Sequence, residues 1–328
     1  MRRLTLHQLR ILRVIAEEGS IAGAAARLHL TSPTVSVQLG QLADVLGMPL
    51  HQVSGRRLSL TEAGQDALES ARRIDAELRL LEQRLAARKG IERGRLAVAA
   101  VSTAEYLLPA LIGEFRQVHP GIEASLLILP RQALLERLKL GLDDVYLMTR
   151  PPESADLDVE PIGLNPLVMI AAPGHALARL GEVTARQLRA ARFVVREASS
   201  GTRLWTGEWL AQFGVELRAE LELGSNEAVK QAVLAGHGVA IISLHAVQAE
   251  VAEGRLVLLR VPRPPAPVQW HIIRQGNRPS TPAAEAFCAD LRQKMGPLDD
   301  HLRRLLDRAG LPSAPAAESS APRPGREP

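Results

Sequence analysis

The chain has 328 residues, 46% of them hydrophobic but only 3% aromatic, so it can fill two or three cores built from Leu, Val, Ile and Ala. A single cysteine, Cys288, excludes an intrachain disulfide and a cysteine-rich metal cluster, and no apolar run reaches the roughly 18 residues of a membrane span. The net charge of +4 falls wholly on residues 1–60, where seven arginines face Glu17, Glu18 and Asp44, as expected of a segment that meets a polyanion.

The start, MRRLTLHQLRILRVIAEEG, meets charges before a secretory core could form, so a reducing, cytoplasmic setting is expected. Residues 5–18 are predicted to be helical. Thr5 and Gln8 have capping-box spacing, and Leu6, Leu9, Leu12 and Ile15 make the apolar stripe. Gly19 ends this helix and Ser20 caps a second one, SIAGAAARL. A short turn then leads to TSPTVSVQLGQLADVLG. In that third helix Val35, Leu39, Leu42 and Leu46 recur at helical spacing, with Thr31 or Ser32 as cap and Pro33 in the first turn.

The opposite face of the third helix carries Ser32, Thr34, Ser36 and Gln38, where an ordinary solvated face would carry Lys and Glu. Short side chains of this kind reach base edges in a major groove without clashing. Gln38 can pair bidentately with adenine, and Val37 or the Thr34 methyl can touch a thymine methyl. Two short helices and a tight turn make a helix-turn-helix. Residues 50–60, LHQVSGRRLSL, read as a hairpin with Gly55 in the turn and Arg56 and Arg57 at its tip, a wing suited to phosphates or the minor groove.

Thr61 caps a predicted helix of about 28 residues. Its Ala67, Ala71, Ile74, Leu78, Leu81 and Leu85 alternate spacings of four and three, a heptad seam that fits a dimerising linker. From Gly94 onward short apolar runs (RLAVAAV, EASLLIL, DDVYLMT, PLVMIAA, ARFVVRE, RAELELG, GVAIIS, RLVLLRV, VQWHIIR) alternate with helix-like stretches, ending in TPAAEAFCADLRQK. The fold class expected is α+β and α/β: a winged helix-turn-helix, a long linker helix and a two-lobed α/β domain. The domains expected are 1–60, 61–90 and 91–296, with lobe I about 91–162 and 268–296 and lobe II about 163–267. Residues 297–328 are expected to be a mostly disordered extension, from their Pro/Ser/Ala-rich end.

Loops at strand ends hold the candidate ligand groups. VVREASSGTR runs from strand to helix with Ser199, Ser200, Gly201 and Thr202 at the junction and Arg203 just inside. Ser102 and Thr103 occupy a similar loop, Thr149 and Arg150 follow the strand DDVYLMT, and Asn226 and Glu227 open a further helix. Backbone amides and hydroxyls at helix starts bind carboxylate or phosphate, which points to an anionic metabolite between the lobes. Each Ser or Thr could equally be a plain helix cap, and Arg150 a structural ion pair. No Ser/His/Asp set or GxSxG stands in motif context, the nine histidines lack ligand spacing, and no catalytic residue, cofactor or metal is expected. Cys288, on an amphipathic helix, reads as core.

The stretch LHQLRILRVIAEEGSIAGAAARLHLTSPTVSVQLGQLADVLGMPL with GRRLSLTEAG resembles the winged helix-turn-helix of LysR-type transcriptional regulators, and the likeness runs to about residue 295. VSTAEYLLP, MTRPPE, VVREASSGTR, LGSNEAVKQAVLAGHGVAIISLHAV and WHIIR resemble the branch regulating carbon-dioxide fixation operons. The resemblance implies a tetramer, a dimer of dimers, on pseudo-palindromic double-stranded DNA. It also implies a small-metabolite effector and RNA polymerase as a partner. Ser32 stands where the family commonly has Gln, and Val37 where it often has Arg or another polar residue, so the operator sequence is not to be copied from relatives. His51-Gln52-Val53, Leu142-Asp143-Asp144 and Thr149 are further departures. A solute-binding protein would need an export signal and no winged head. An enzyme with an appended DNA module would turn over a bound metabolite.

Overall fold

The computed structural model describes residues 4–54, 57–88, 94–261, 268–276 and 279–311. The chain divides into two compact units, the first Met1–Ile91 with Arg137–Leu142 and the second the remainder.

The first unit holds α1 (Leu6–Glu18), α2 (Ile21–Leu28), α3 (Ser32–Leu46), β1 (His51–Ser54), β2 (Arg57–Leu60) and α4 (Glu62–Arg88). Local chemistry sets the helix starts. Thr5 and Gln8 form the reciprocal capping box, Ser20 accepts from Gly23 N, and Thr31 accepts from Thr34 N. Gly19 and Gly47 end α1 and α3 in the left-handed region, at φ 66° and 72°. The core takes Leu9, Leu12 and Ile15, as the stripe predicts, with Ile11 and Val14 beside them. Ala24, Ala25, Val35, Leu39, Leu42 and Leu50 complete it. Leu6 and Leu46 belong to the predicted stripes but are exposed, because each sits on a terminal turn at the rim of the core.

Leu68 and Ala71 of α4 join this core, whereas Ile74, Leu78, Leu81 and Leu85 farther along are exposed. The apolar seam therefore continues beyond the part that its own unit covers. The wing forms as β1 against β2, antiparallel, with Ser54 opposite Arg57. Gly55 and Arg56, expected in its turn, lie outside the described residues.

In the second unit, lobe I is a five-stranded sheet in the order β4-β3-β5-β12-β6. Its strands are β3 (Gly94–Val101), β4 (Ile122–Leu129), β5 (Val145–Met148), β6 (Leu157–Asn165) and β12 (Val268–Gln275). β3 pairs parallel with β4 and β5, and β12 runs antiparallel between β5 and β6. α5 (Leu108–Val118) and α11 (Pro282–Arg308) accompany it, as does the start of α6 (Arg131–Leu140), whose residues from Arg137 count with the first unit. Lobe II carries β7 (Leu167–Ala171) between β10 (Ala240–Ser243) and β11 (Val257–Leu258). Beside them lies the parallel pair β8 (Phe193–Arg196) and β9 (Ala219–Leu223), joined to the rest by a Phe193–Val239 bridge. Its helices are α7 (Ala185–Ala190), α8 (Gly201–Ala211), α9 (Asn226–Leu234) and α10 (Gln248–Ala252).

Three elements differ from expectation. The run RLVLLRV yields only the two residues of β11, with one further bond from Leu259 N to the Met169 carbonyl at 2.8 Å, while Leu256, Leu259 and Val261 are buried in the core. β6 is not foreseen from the sequence; it is a mostly half-buried edge strand without a clean alternation, in which Asp158 and Pro161 are exposed and Asn165 is buried. The last helix runs on through Pro297 to Arg308. Residues 297–311 are thus ordered and not part of a disordered tail: Phe287, Leu291 and Met295 fill the lobe I core, while Leu302, Leu306 and Leu311 fill the lobe II core. Residues 312–328 lie outside the described residues. Cys288 is fully buried in the lobe I core, where burial pushes its thiol up to about 11, far from the reactive thiolate range.

Candidate DNA-binding face and ligand cleft

The apolar side of α3 anchors it, and the other side is open. Ser32, Pro33, Thr34, Ser36 and Val37 are exposed, Val37 at 56%, and Gln38 is half-buried. The Thr31 and Thr34 hydroxyls share a hydrogen bond of 2.8 Å, so the Thr34 hydroxyl is tied to the cap while the residue stays exposed. Ser32, Ser36 and Gln38 make no side-chain hydrogen bond to other described residues, leaving donors and acceptors available.

The two glutamates that end α1 are occupied. Glu17 pairs with Arg13 at 3.1 Å and with Arg27 at 2.8 Å, and Glu18 with Arg27 at 2.8 Å. The exposed Arg10 forms no ion pair among the described residues. Positive charge is therefore left over on this unit, which attracts phosphates.

In the second unit, both lobes contribute to one small opening that is open to solvent. Val101, Ser102, Thr103, Arg131 and Thr149 line it from lobe I, and Arg196, Glu197, Ser200, Gly201 and Thr202 from lobe II. Ser102 and Thr103 stand where β3 ends, and Arg131 begins α6 just after β4 and Pro130. Ser200 occupies the N-cap position of α8, yet no side chain caps that helix, so its first-turn amides remain available to an anion.

Arg131 lines the opening without a carboxylate partner among the described residues. Its Nη1 donates to the Arg150 carbonyl at 2.5 Å and lies 3.8 Å from the Met148 Sδ. Burial, and then the nearby Arg150 charge, lower its pKa, which marks a cation lacking a counter-ion.

The opening does not gather every expected residue. Ser199 is exposed and does not line it. Arg150 instead pairs with Glu208 at 2.8 Å, its guanidinium 5.5 Å from the Trp205 ring centre, a tie from lobe I to α8. Arg203 is half-buried beside it on α8 and does not line the opening. Asn226 is fully buried behind the wall, accepting from Arg196 Nη1 at 2.7 Å and donating to Thr103 Oγ1 at 3.3 Å. Glu227 is exposed and paired with Lys230 at 2.8 Å, its carboxyl held below the usual range by bonds from Lys230 and Gln231. Sequence reasoning missed Arg131, Arg196 and Glu197. All three sit at strand carboxyl ends, the same position that picks out the serines, but nothing local tells which strand-end arginine faces inward.

A helix-turn-helix with a wing, followed by two α/β lobes around a polar cleft, defines a ligand-responsive, DNA-binding transcriptional regulator. The chain belongs to the LysR family. Residues 6–65 match the model of the bacterial regulatory helix-turn-helix protein, lysR family, and residues 89–296 match the LysR substrate binding domain. It is 39% identical over 287 residues to the HTH-type transcriptional activator CmpR of Synechocystis, covering 88% of this chain and 94% of that protein. It is also 39% identical over 287 residues to a RuBisCO operon transcriptional regulator of Acidithiobacillus ferrooxidans, covering 88% and 93%. Among solved structures, the Synechocystis CcmR regulatory domain in complex with 2-PG is similar at TM-score 0.59 and 35% identity, covering 62% of this chain and 98% of that one. No helix among the described residues is long and apolar enough to cross a membrane.

Proposed function

We propose that this regulator controls carbon-fixation genes from the cytoplasm, binding a small anion in the cleft between its lobes rather than turning a substrate over. The exposed, uncharged and hydrogen-bonding face of α3 carries the DNA reading. It is backed by apolar residues on one side and presents Ser32, Pro33, Thr34, Ser36, Val37 and Gln38 on the other. These residues enter a major groove, and Arg56 and Arg57 hold phosphates. Two copies pair through the open seam Ile74, Leu78, Leu81 and Leu85 of α4, and two such pairs form a tetramer on a pseudo-palindromic site, where RNA polymerase is engaged.

Ser102, Thr103, Thr149, Ser200, Gly201 and Thr202, with Arg131, hold the anion; the names of the CmpR, RuBisCO-operon and CcmR relatives support the pathway and the ligand class. Bound anion favours one lobe geometry and so alters the tetramer and the bend of its DNA, which requires different affinities for two states.

Fluorescence anisotropy with promoter fragments carrying single-base changes tests the head. Arg57→Ala should weaken every fragment alike and reduce the salt slope by about one. Gln38→Ala should cost about 1–3 kcal/mol at one base position and leave other positions unaffected. An equal loss on all fragments for Gln38→Ala would remove Gln38 from base reading.

A further inference from the structure

We propose that Glu197 is a built-in counter-anion that sets how tightly the cleft holds its ligand. This inference rests on the cleft being the ligand site. The ionisable side chains that line it are Arg131, Arg196 and Glu197. Arg196 ends β8 with its side chain only 3% exposed. Its Nε donates to Glu197 Oε2 at 2.7 Å and its Nη2 to Glu197 Oε1 at 2.8 Å, a bidentate fork. Nη1 donates to Asn226 Oδ1 at 2.7 Å, and the second Nη2 proton goes to Ser102 Oγ at 3.0 Å.

Arg196 thus has four of its five donors committed within the wall. Glu197 is the outer partner, at 25% exposure, and faces the opening. The pair contributes no net charge, and the cleft's unbalanced cation is Arg131. An entering anion is drawn by Arg131 and the uncapped start of α8, and opposed by Glu197. Glu197 therefore acts as a competing anion already in place, lowering affinity and lowering it most for the most highly charged ligands.

Calorimetric titration of the full chain with 2-PG and with inorganic phosphate tests this, using Glu197→Gln, Glu197→Asp and Arg131→Gln. Glu197→Gln keeps an acceptor oxygen for Arg196 but removes the charge. It should bind both probes about tenfold more tightly, with a steeper salt dependence, as expected for one unit charge removed close to a partly desolvated anion. Glu197→Asp keeps the charge and should not bind more tightly than the wild type. If Glu197→Gln binds no better while Arg131→Gln loses binding, Glu197 only orients Arg196 and the inference is wrong. A tighter Glu197→Asp would assign the effect to geometry and also overturn it. If Arg131→Gln binds undiminished, the cleft is not the site, and the underlying reading fails with the inference.

Discussion

Gly64→Ala should strongly destabilise the N-terminal head and weaken DNA binding while leaving anion binding by the second unit intact. Gly64 lies in the first turns of α4 and is buried against the chain entering the wing. A Cβ there would fall 1.9 Å from the Leu50 carbonyl oxygen, 2.9 Å from its carbon and 3.2 Å from the Leu60 Cβ. None of these can yield cheaply. The Leu50 carbonyl accepts from Thr61 N at 3.1 Å, and the Thr61 hydroxyl donates to the Pro49 carbonyl at 2.6 Å while accepting from Gly64 N at 3.0 Å. In a free helix the substitution would gain about 1 kcal/mol in propensity. Here backbone overlap dominates, and a net loss of roughly 3 kcal/mol is expected, a large share of the stability of a small head. Circular dichroism melts and limited proteolysis would register it. A head as stable as the wild type would contradict the packing of α4 on the wing.

Arg131→Gln should lower the affinity for 2-PG by about a hundredfold, with little change in thermal stability. The argument is one of unbalanced charge. Arg150 has Glu208 and Trp205, and Arg196 has Glu197, whereas Arg131 rests on a carbonyl and a thioether. Removing the charged partner of a desolvated ligand pair typically costs 2–5 kcal/mol. The shorter glutamine gives up the bond to the Arg150 carbonyl, but Arg150 keeps its ties to Glu208 and Trp205, so the loop should stay in place. Titration calorimetry gives the affinity, and a melt without ligand gives the stability. Undiminished binding would move the ligand elsewhere.

Local chemistry was the most legible part of the fold. The Thr5–Gln8 capping box, the Ser20 and Thr31 caps and the Gly19 and Gly47 stops lie within a few residues of the groups they satisfy, so spacing alone reveals them. The strands of lobes I and II were legible where both faces are buried, as in β5, β7, β8 and β10. β6 was hidden because one of its edges has no partner strand, and its glutamate and proline are tolerable only there. Its Glu160 pairs with Arg292 of α11, a tie spanning 132 residues that no local window can register.

Gly296-Pro297 reads as a helix stop. The helix continues because Leu302 and Leu306, beyond the proline, are buried in the second lobe. At the cleft, the serine and threonine loops could be read from their place at strand ends. Which arginine faces inward could not, because Arg131, Arg150 and Arg196 occupy equivalent strand-end positions and only the packed loops separate them.

The central claim is that an anion in the cleft changes how the head is held on DNA. The direct measurement is a footprint and bend angle on the promoter fragment, recorded while 2-PG is titrated onto wild-type and Arg131→Gln complexes. A shift in footprint and bend that saturates in the wild type and is absent from the variant is the expected result. No shift in the wild type, or the same shift in both proteins, would contradict it.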